Sequence, residues 1–370
     1  MKNNTMGIIM LTEREEQLSE LTYDRTVGAI PFGGRYRLID FVLSNMVNSG
    51  IRNVGVFAQH KYRSLMEHLR MGKDWDLHRK RDGLFILPPN CPAIGAQCKE
   101  ELNLLERNLD YLQQSRQEYV LMAKGNGINN MDYHPILAEH IRSGAHITAV
   151  YARKTLDEKE APLYHQLELD KQGYIEEIKE GTPGEEQNMS LEVYLLRKSL
   201  LLDIIAQSQN EKERNFIEQG VRKNLGRLKS RGYEYRGYAE IVNSSRKYYQ
   251  CNRDLLNRDI YNELFFEKKP IYTKKKDEAP TKYTQGASVN NSIIASGCII
   301  KGHVENSILF RGVVVEEGAK VVDSIVFPKV TIQGDSVVQQ AILEKGATVN
   351  SEAKIGTDQG LTMIKRNAVI

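Results

Sequence analysis

Along the first 257 residues, short apolar runs alternate with segments whose apolar residues recur every three or four positions. Residues 7–11, 53–58, 119–123 and 146–151 are largely apolar runs of strand length, while 40–47, 62–69 and 134–143 carry helical spacing. Largely apolar strands are buried on both faces, so the pattern predicts a mostly parallel sheet with helices on both sides. Such sheets bind ligands beyond the carboxyl ends of their strands, which points to the segments after Leu11, Ala58 and Ala123.

The period then changes. Between 267 and 283 neither pattern holds, and Pro270, Pro280 and the run Lys274-Lys275-Lys276 mark a linker. Beyond it, Asn291-Ser292-Ile293-Ile294, Asn306-Ser307-Ile308-Leu309, Asp323-Ser324-Ile325-Val326 and Gln340-Ala341-Ile342-Leu343 open successive units, their starts 15, 17 and 17 residues apart. Inside the units aliphatic residues step by six: Leu309, Val315, Val321, then Val326, Ile332, Val338, then Leu343, Val349, Ile355. A sandwich would alternate every second residue; steps of six predict a left-handed parallel β-helix of hexapeptide repeats with each aliphatic turned into the core. The expected domains are a parallel-sheet α/β domain over 1–257, a linker over 258–285 and the β-helix over 286–370. Open solenoid ends and flat faces suit the β-helix to joining subunits.

Composition narrows the classes. With 41% hydrophobic and 27% charged residues over 370 positions, the chain is neither disordered nor collagenous. Fifty-one Lys+Arg against 48 Asp+Glu leave +3, which advertises neither nucleic-acid nor membrane binding. Cys91, Cys98, Cys251 and Cys298 lack metal-ligand spacing and read as free thiols of a reducing compartment. No run approaches the ~18 apolar residues of a membrane span, so a soluble cytoplasmic protein without a metal site is expected.

The densest motif is Pro31-Phe32-Gly33-Gly34-Arg35-Tyr36-Arg37-Leu38-Ile39-Asp40-Phe41-Val42-Leu43-Ser44-Asn45. With Asn48-Ser49-Gly50-Ile51-Arg52, Gln59, Met131-Asp132-Tyr133, Pro270-Ile271-Tyr272-Thr273 and Pro280-Thr281-Lys282-Tyr283, it closely resembles the glucose-1-phosphate adenylyltransferase family. The resemblance implies a Rossmann-like nucleotidyltransferase sheet followed by the β-helix. The family's chemistry needs backbone N–H groups against a triphosphate, and Mg²⁺ on hard carboxylate oxygens to offset developing charge. This chain departs from that pattern. The family's Gly-Gly-x-Gly-x-Arg-Leu loop falls on Thr12-Glu13-Arg14-Glu15-Glu16-Gln17-Leu18, where carboxylates replace donors and a helix beginning at Thr12 would close the cradle. Asn126 stands at the metal-anchoring Asp, Arg246 at a further carboxylate, Gly181 at the lysine that holds the sugar phosphate, and Glu192 at a glycine that gives the ligand room. Lys179 would replace the lysine only if its strand slipped by two residues.

Losing one preorganised donor typically costs about two to three orders of magnitude in rate, and here several fail together. The expectation is therefore no catalytic residue, with Thr12, Glu13, Glu15, Asn126, Gly181, Glu192 and Arg246 as degenerate positions. No cofactor is expected, Mg²⁺ being left to a catalytic partner. This pattern of loss resembles the non-catalytic, GlgD-type branch of the family. That implies a regulatory subunit acting on a GlgC-type catalytic subunit in a mixed tetramer, with homo-oligomers of the isolated chain also open. The alternatives are a weakly active adenylyltransferase and a stand-alone sugar-phosphate sensor. The family's anionic activators imply an effector site at Arg25, Arg35 and Arg37; the same arginines also read as solvated or paired with Asp40 and Glu20. Lys274-Lys275-Lys276 reads as a solvated linker face, Trp75 as a partly exposed loop residue, and Tyr248-Tyr249 as core.

Overall fold

The computed structural model describes residues 4–12, 16–88, 100–356 and 360–370. Nine strands form the first sheet: β1 (Thr5–Leu11), β2 (Asn53–Ala58), β3 (Gly83–Leu87), β4 (Tyr119–Lys124), β5 (Ile147–Thr155), β6 (His165–Leu169), β7 (Ile175–Glu180), β8 (Glu186–Arg197) and β9 (Ser230–Glu234). Their order is β7-β6-β8-β4-β1-β2-β3, with β5 also on β8 and β9 on β5. β1 lies parallel between β4 and β2, pairing Ile9 with Ala123 and with Val56. Met6, Ile8 and Met10 enter one apolar cluster while Ile9 and Leu11 enter another on the opposite face. That two-sided burial is why β1 reads as unbroken rather than alternating.

The principal helices used below are α1 (Leu38–Asn48), α2 (Arg63–Leu69), α3 (Glu101–Glu106), α4 (Ser245–Asp254) and α5 (Arg258–Phe265). Asp40, at the third position of α1, accepts the Arg37 backbone N–H at 2.9 Å and pairs with His68 of α2 at 2.6 Å, fixing the helix start. α5 shortens the expected linker of 258–285: Phe265 stacks on Tyr36 at 4.9 Å, so this helix packs with the sheet domain. Within the rest of the linker, residues 270–272 lie along α1, where Tyr272 donates its N–H to the Ser44 hydroxyl and Asn48 reaches the Pro270 carbonyl, and Lys282–Tyr283 already pair into the β-helix. Trp75 is a correction. It is 1% exposed, edge-on to His68, because a short 3₁₀ turn points Lys73 and Asp76 outward and the indole inward.

Three five-stranded parallel sheets follow from Lys282 onward. The six-step residues are buried in one cluster, and successive coils register Val304 on Val321 on Val338 and Leu309 on Val326 on Leu343. The unit-opening residues Asn291, Asn306, Asp323 and Gln340 all take positive φ, between 39° and 47°, a corner that Asn and Asp tolerate better than most residues. Ile308, Ile325, Ile342, Phe310 and Phe327 join Phe32, Phe41, Tyr248 and Leu255 in one cluster, so an apolar seam docks the β-helix on the sheet domain. A Cβ on Gly34 would meet Ile293 at 3.5 Å; the Gly33-Gly34 turn lies against the first coil.

Candidate functional site

The cleft forms where β1 and β4 end side by side. Thr12 follows β1 and Lys124 closes β4. Glu101, at the start of α3, comes in from above, and the Lys124 ammonium lies 2.5 Å from its carboxylate. The other Glu101 oxygen accepts the Phe216 backbone N–H at 2.7 Å, and the Thr12 hydroxyl completes the cluster, 3.2 Å from Lys124 and 3.5 Å from Glu101. Glu101 is only 7% exposed.

Glu192 reaches the same cluster from a bulge in β8, where the register on β5 shifts between Ser190 and Val193. The bulge turns an extra residue inward, and Glu192 takes φ 53°, the left-handed region that suits glycine. Its carboxylate lies 3.7 Å from Lys124 and 3.5 Å from His165. Burial by itself would push the Glu192 carboxyl up, but Lys124 and His165 outweigh it and hold it down at about 2. Glu192 therefore stays ionised, and its side chain fills space that a glycine would leave open.

The floor of the cleft is apolar. A Cβ on Gly125 would come within 2.1 Å of the Leu11 side chain, and one on Gly28 within 2.7 Å. Leu11 thus plugs the gap between the two strand ends.

Asn126 is 3% exposed and gives its amide N–H to the Val242 carbonyl at 2.9 Å, while its own backbone carbonyl accepts the Val242 N–H. Its side-chain oxygen is buried without a partner among the described residues. Arg246 pairs with Asp157 at 3.0 Å. These residues do not fit Mg²⁺: Asn126 offers one neutral oxygen, and Lys124 puts a cation against Glu101 and Glu192. Among the described residues no group of three or more His, Cys, Asp or Glu could hold a metal ion. A Cβ on Gly181 would meet the Ala161 carbonyl at 2.7 Å, so that position has no room for a side chain. Lys179 does not replace it, being paired with Glu168 at 2.8 Å and Glu177 at 3.1 Å on the outer strand β7.

Glu13 and Glu15 lie outside the described residues, as do Cys91 and Cys98. Residues 13–15 of the helix expected to begin at Thr12 lie outside the described residues; Thr12 itself is coil, and Glu16–Leu18 form a 3₁₀ turn. Cys251 and Cys298 are buried free thiols, and burial raises both pKa values.

The three arginines expected to hold an effector part company. Arg25 is a correction: its guanidinium is buried, bidentate to Glu344 at 2.8 and 3.0 Å, bonded to Asp24 at 3.0 Å and over the Phe327 ring. It ties the two domains together and has no fork left for a phosphate. Arg37 donates to the Ser64 carbonyl and hydroxyl at 2.8 and 2.9 Å, and burial lowers its pKa to about 10. Arg35 is exposed, its guanidinium over the Tyr36 ring. Burial and then Arg311 and Arg37 lower the pKa of Lys276; burial and then Arg70 and Arg37 lower that of Lys274; burial and then Arg35 lower that of Arg311. A belt of cations therefore lies within electrostatic reach of one another where the motif loop, the linker and the β-helix meet, with Glu67, Asp74 and Glu278 as partial counter-charges. Sequence reading missed Arg311, and it also missed Glu101, Lys124 and His165. The only hint of the last three was a lysine closing an otherwise apolar strand.

Together these features define a nucleotidyltransferase-type sheet domain carrying a left-handed hexapeptide β-helix. The nucleotidyl transferase family matches residues 6–239, and the GlmU-like C-terminal hexapeptide family matches residues 279–366. The chain is 38% identical over 320 residues to the glycogen biosynthesis protein GlgD of Bacillus subtilis, covering 86% of this chain and 82% of that one. It is 38% identical to GlgD of Geobacillus stearothermophilus over 87% and 84% of the two chains. To the glucose-1-phosphate adenylyltransferase of Bacillus cytotoxicus it is 31% identical over 97% and 96%. The chain belongs to the family of GlgD and glucose-1-phosphate adenylyltransferase proteins.

Proposed function

We propose that this protein is a non-catalytic regulatory subunit of glucose-1-phosphate adenylyltransferase, acting in cytoplasmic glycogen biosynthesis on a GlgC-type catalytic partner. One observation carries the reading: the strand ends that would grip a metal–triphosphate hold the Lys124–Glu101–Glu192 cluster instead. Asn126 and Gly181 support it, since Asn126 spends its amide on the Val242 carbonyl and the Gly181 position has no room for the family's lysine side chain. Regulation by such a subunit is a coupling free energy, in which contacts that differ between the partner's active and inactive arrangements shift their balance. The β-helix, with its flat parallel faces, is the element suited to those contacts. An anionic sugar phosphate bound at Arg35, Arg37, Lys274, Lys276 and Arg311 would bridge both domains and bias the same balance.

The test is to purify this chain and a catalytic relative that retains the glycine loop and aspartates. ADP-glucose formation from ATP, glucose-1-phosphate and Mg²⁺ is then measured for each chain and for the mixture. The reading expects no product from this chain alone and a partner rate or effector response that changes on mixing. Product from the chain alone would establish the weakly active enzyme instead. An unchanged partner, with sugar phosphate still bound to this chain, would establish the stand-alone sensor.

A further inference from the structure

The Glu101 carboxylate sits in surroundings built for an anion. An ammonium, a backbone N–H and a hydroxyl converge on it from three separate parts of the chain: Lys124 at the end of β4, Phe216, and Thr12 after β1. These are the donor types that phosphate sites use at the carboxyl edge of a parallel sheet. The anion is held in place by more than this cluster. Leu102 donates its N–H to the Arg214 carbonyl at 3.0 Å, and the Arg214 guanidinium reaches Glu106 at 2.6 Å, strapping both ends of α3 to the 214–216 segment. Glu192 adds a second carboxylate, at a φ that glycine would take without strain. Surface ion pairs need neither a strap nor a strained residue.

We propose that the cleft is a latent phosphate-class anion site kept filled by the chain's own Glu101 carboxylate, with Glu192 beside it as a second internal counter-charge. A free phosphate or pyrophosphate is shut out because Lys124 and the Phe216 N–H are already engaged, and because it would have to approach two fixed negative charges. The inference rests on the cleft geometry and is independent of whether a catalytic partner exists. It makes the cleft a built-in, ligand-free closed state in place of an eroded pocket.

The experiment is calorimetric titration of the full-length chain with sodium pyrophosphate, using Glu101→Ala, Glu101→Gln and Glu101→Ala combined with Lys124→Met. The cation belt at Arg35 and Arg311 is present in all of them, so its contribution cancels in the comparison. Glu101→Ala is expected to bind pyrophosphate at least tenfold more tightly than the wild type, and adding Lys124→Met should abolish the gain. Glu101→Gln keeps the planar shape of the carboxylate with the charge removed, so its melting temperature should rise more with pyrophosphate than that of the wild type. This second readout serves if the alanine variant does not fold. Wild-type affinity in the alanine variant, a gain that survives Lys124→Met, or a wild-type melting response in Glu101→Gln would each overturn the proposal.

Discussion

Replacing Glu344 by alanine gives the sharpest test of how the two domains are joined. The Arg25 and Glu344 side chains are 8% and 4% exposed, and the guanidinium makes two parallel bonds at 2.8 and 3.0 Å. Breaking a buried pair from one side strands a desolvated charge and typically costs about 3–5 kcal/mol. Asp24, 30% exposed and bonded to the Arg25 Nε, remains as a partial counter-charge, which favours the lower end, about 3 kcal/mol. For domains of this size that is a fall of roughly 6–12 °C in melting temperature. Removing both partners together, as Arg25→Met with Glu344→Leu, leaves no orphan charge beside Phe327 and should return stability to within about 1 kcal/mol of the wild type or above it. Urea unfolding followed by Trp75 fluorescence reports the sheet domain, and far-ultraviolet dichroism reports both domains; the wild type, Arg25→Met, Glu344→Leu and the double variant form the cycle that gives the coupling directly. A Glu344→Ala chain within about 0.5 kcal/mol of the wild type would mean that the pair is solvated and the domains are not docked as described.

Three further outcomes are expected. Burial, then Arg197 and His146, push His140 down to about 4 from 6.5, so the folded chain keeps it neutral while the unfolded chain takes up a proton below 6.5. That stability is complete above 6.5 and is lost as pH falls toward 4. Between pH 8 and 5.5 the wild type should lose about 1.4 kcal/mol more than His140→Gln in urea titrations, and equal losses would contradict the assignment. Gly181→Lys, which restores the family's lysine in sequence, should destabilise by about 1–3 kcal/mol, because its Cβ meets the Ala161 carbonyl, and should yield no ADP-glucose. On the proposed effector site, Lys276→Ala and Arg311→Ala should each weaken sugar-phosphate binding by about tenfold, whereas removing Arg25's charge should act on stability and leave that affinity nearly intact.

Much of the fold is local information. A β-helix coil closes within about 17 residues, so the six-step aliphatics and the Asn or Asp corners announce it in any short window. β1, β2 and β4 are legible for a related reason, since burial on both faces demands an apolar side chain at nearly every position. The lost glycines and the neutral Asn126 are likewise properties of single positions. Trp75 was misread because charged neighbours in sequence are not neighbours in space once a tight turn splits them.

What occupies the cleft, by contrast, is decided by strand order and domain docking. Thr12, Glu101, Lys124, His165 and Glu192 meet because β1 and β4 are adjacent, α3 is strapped to the 214–216 segment, and a bulge turns Glu192 inward. Arg25 shows the same thing at longer range: its partner is 319 residues away, so nothing near it in sequence distinguishes an interdomain tie from an effector ligand. Periodicity records which way a side chain faces. Only the packed structure brings together the distant charges that face the same way, and the energy of a buried charge depends on those partners.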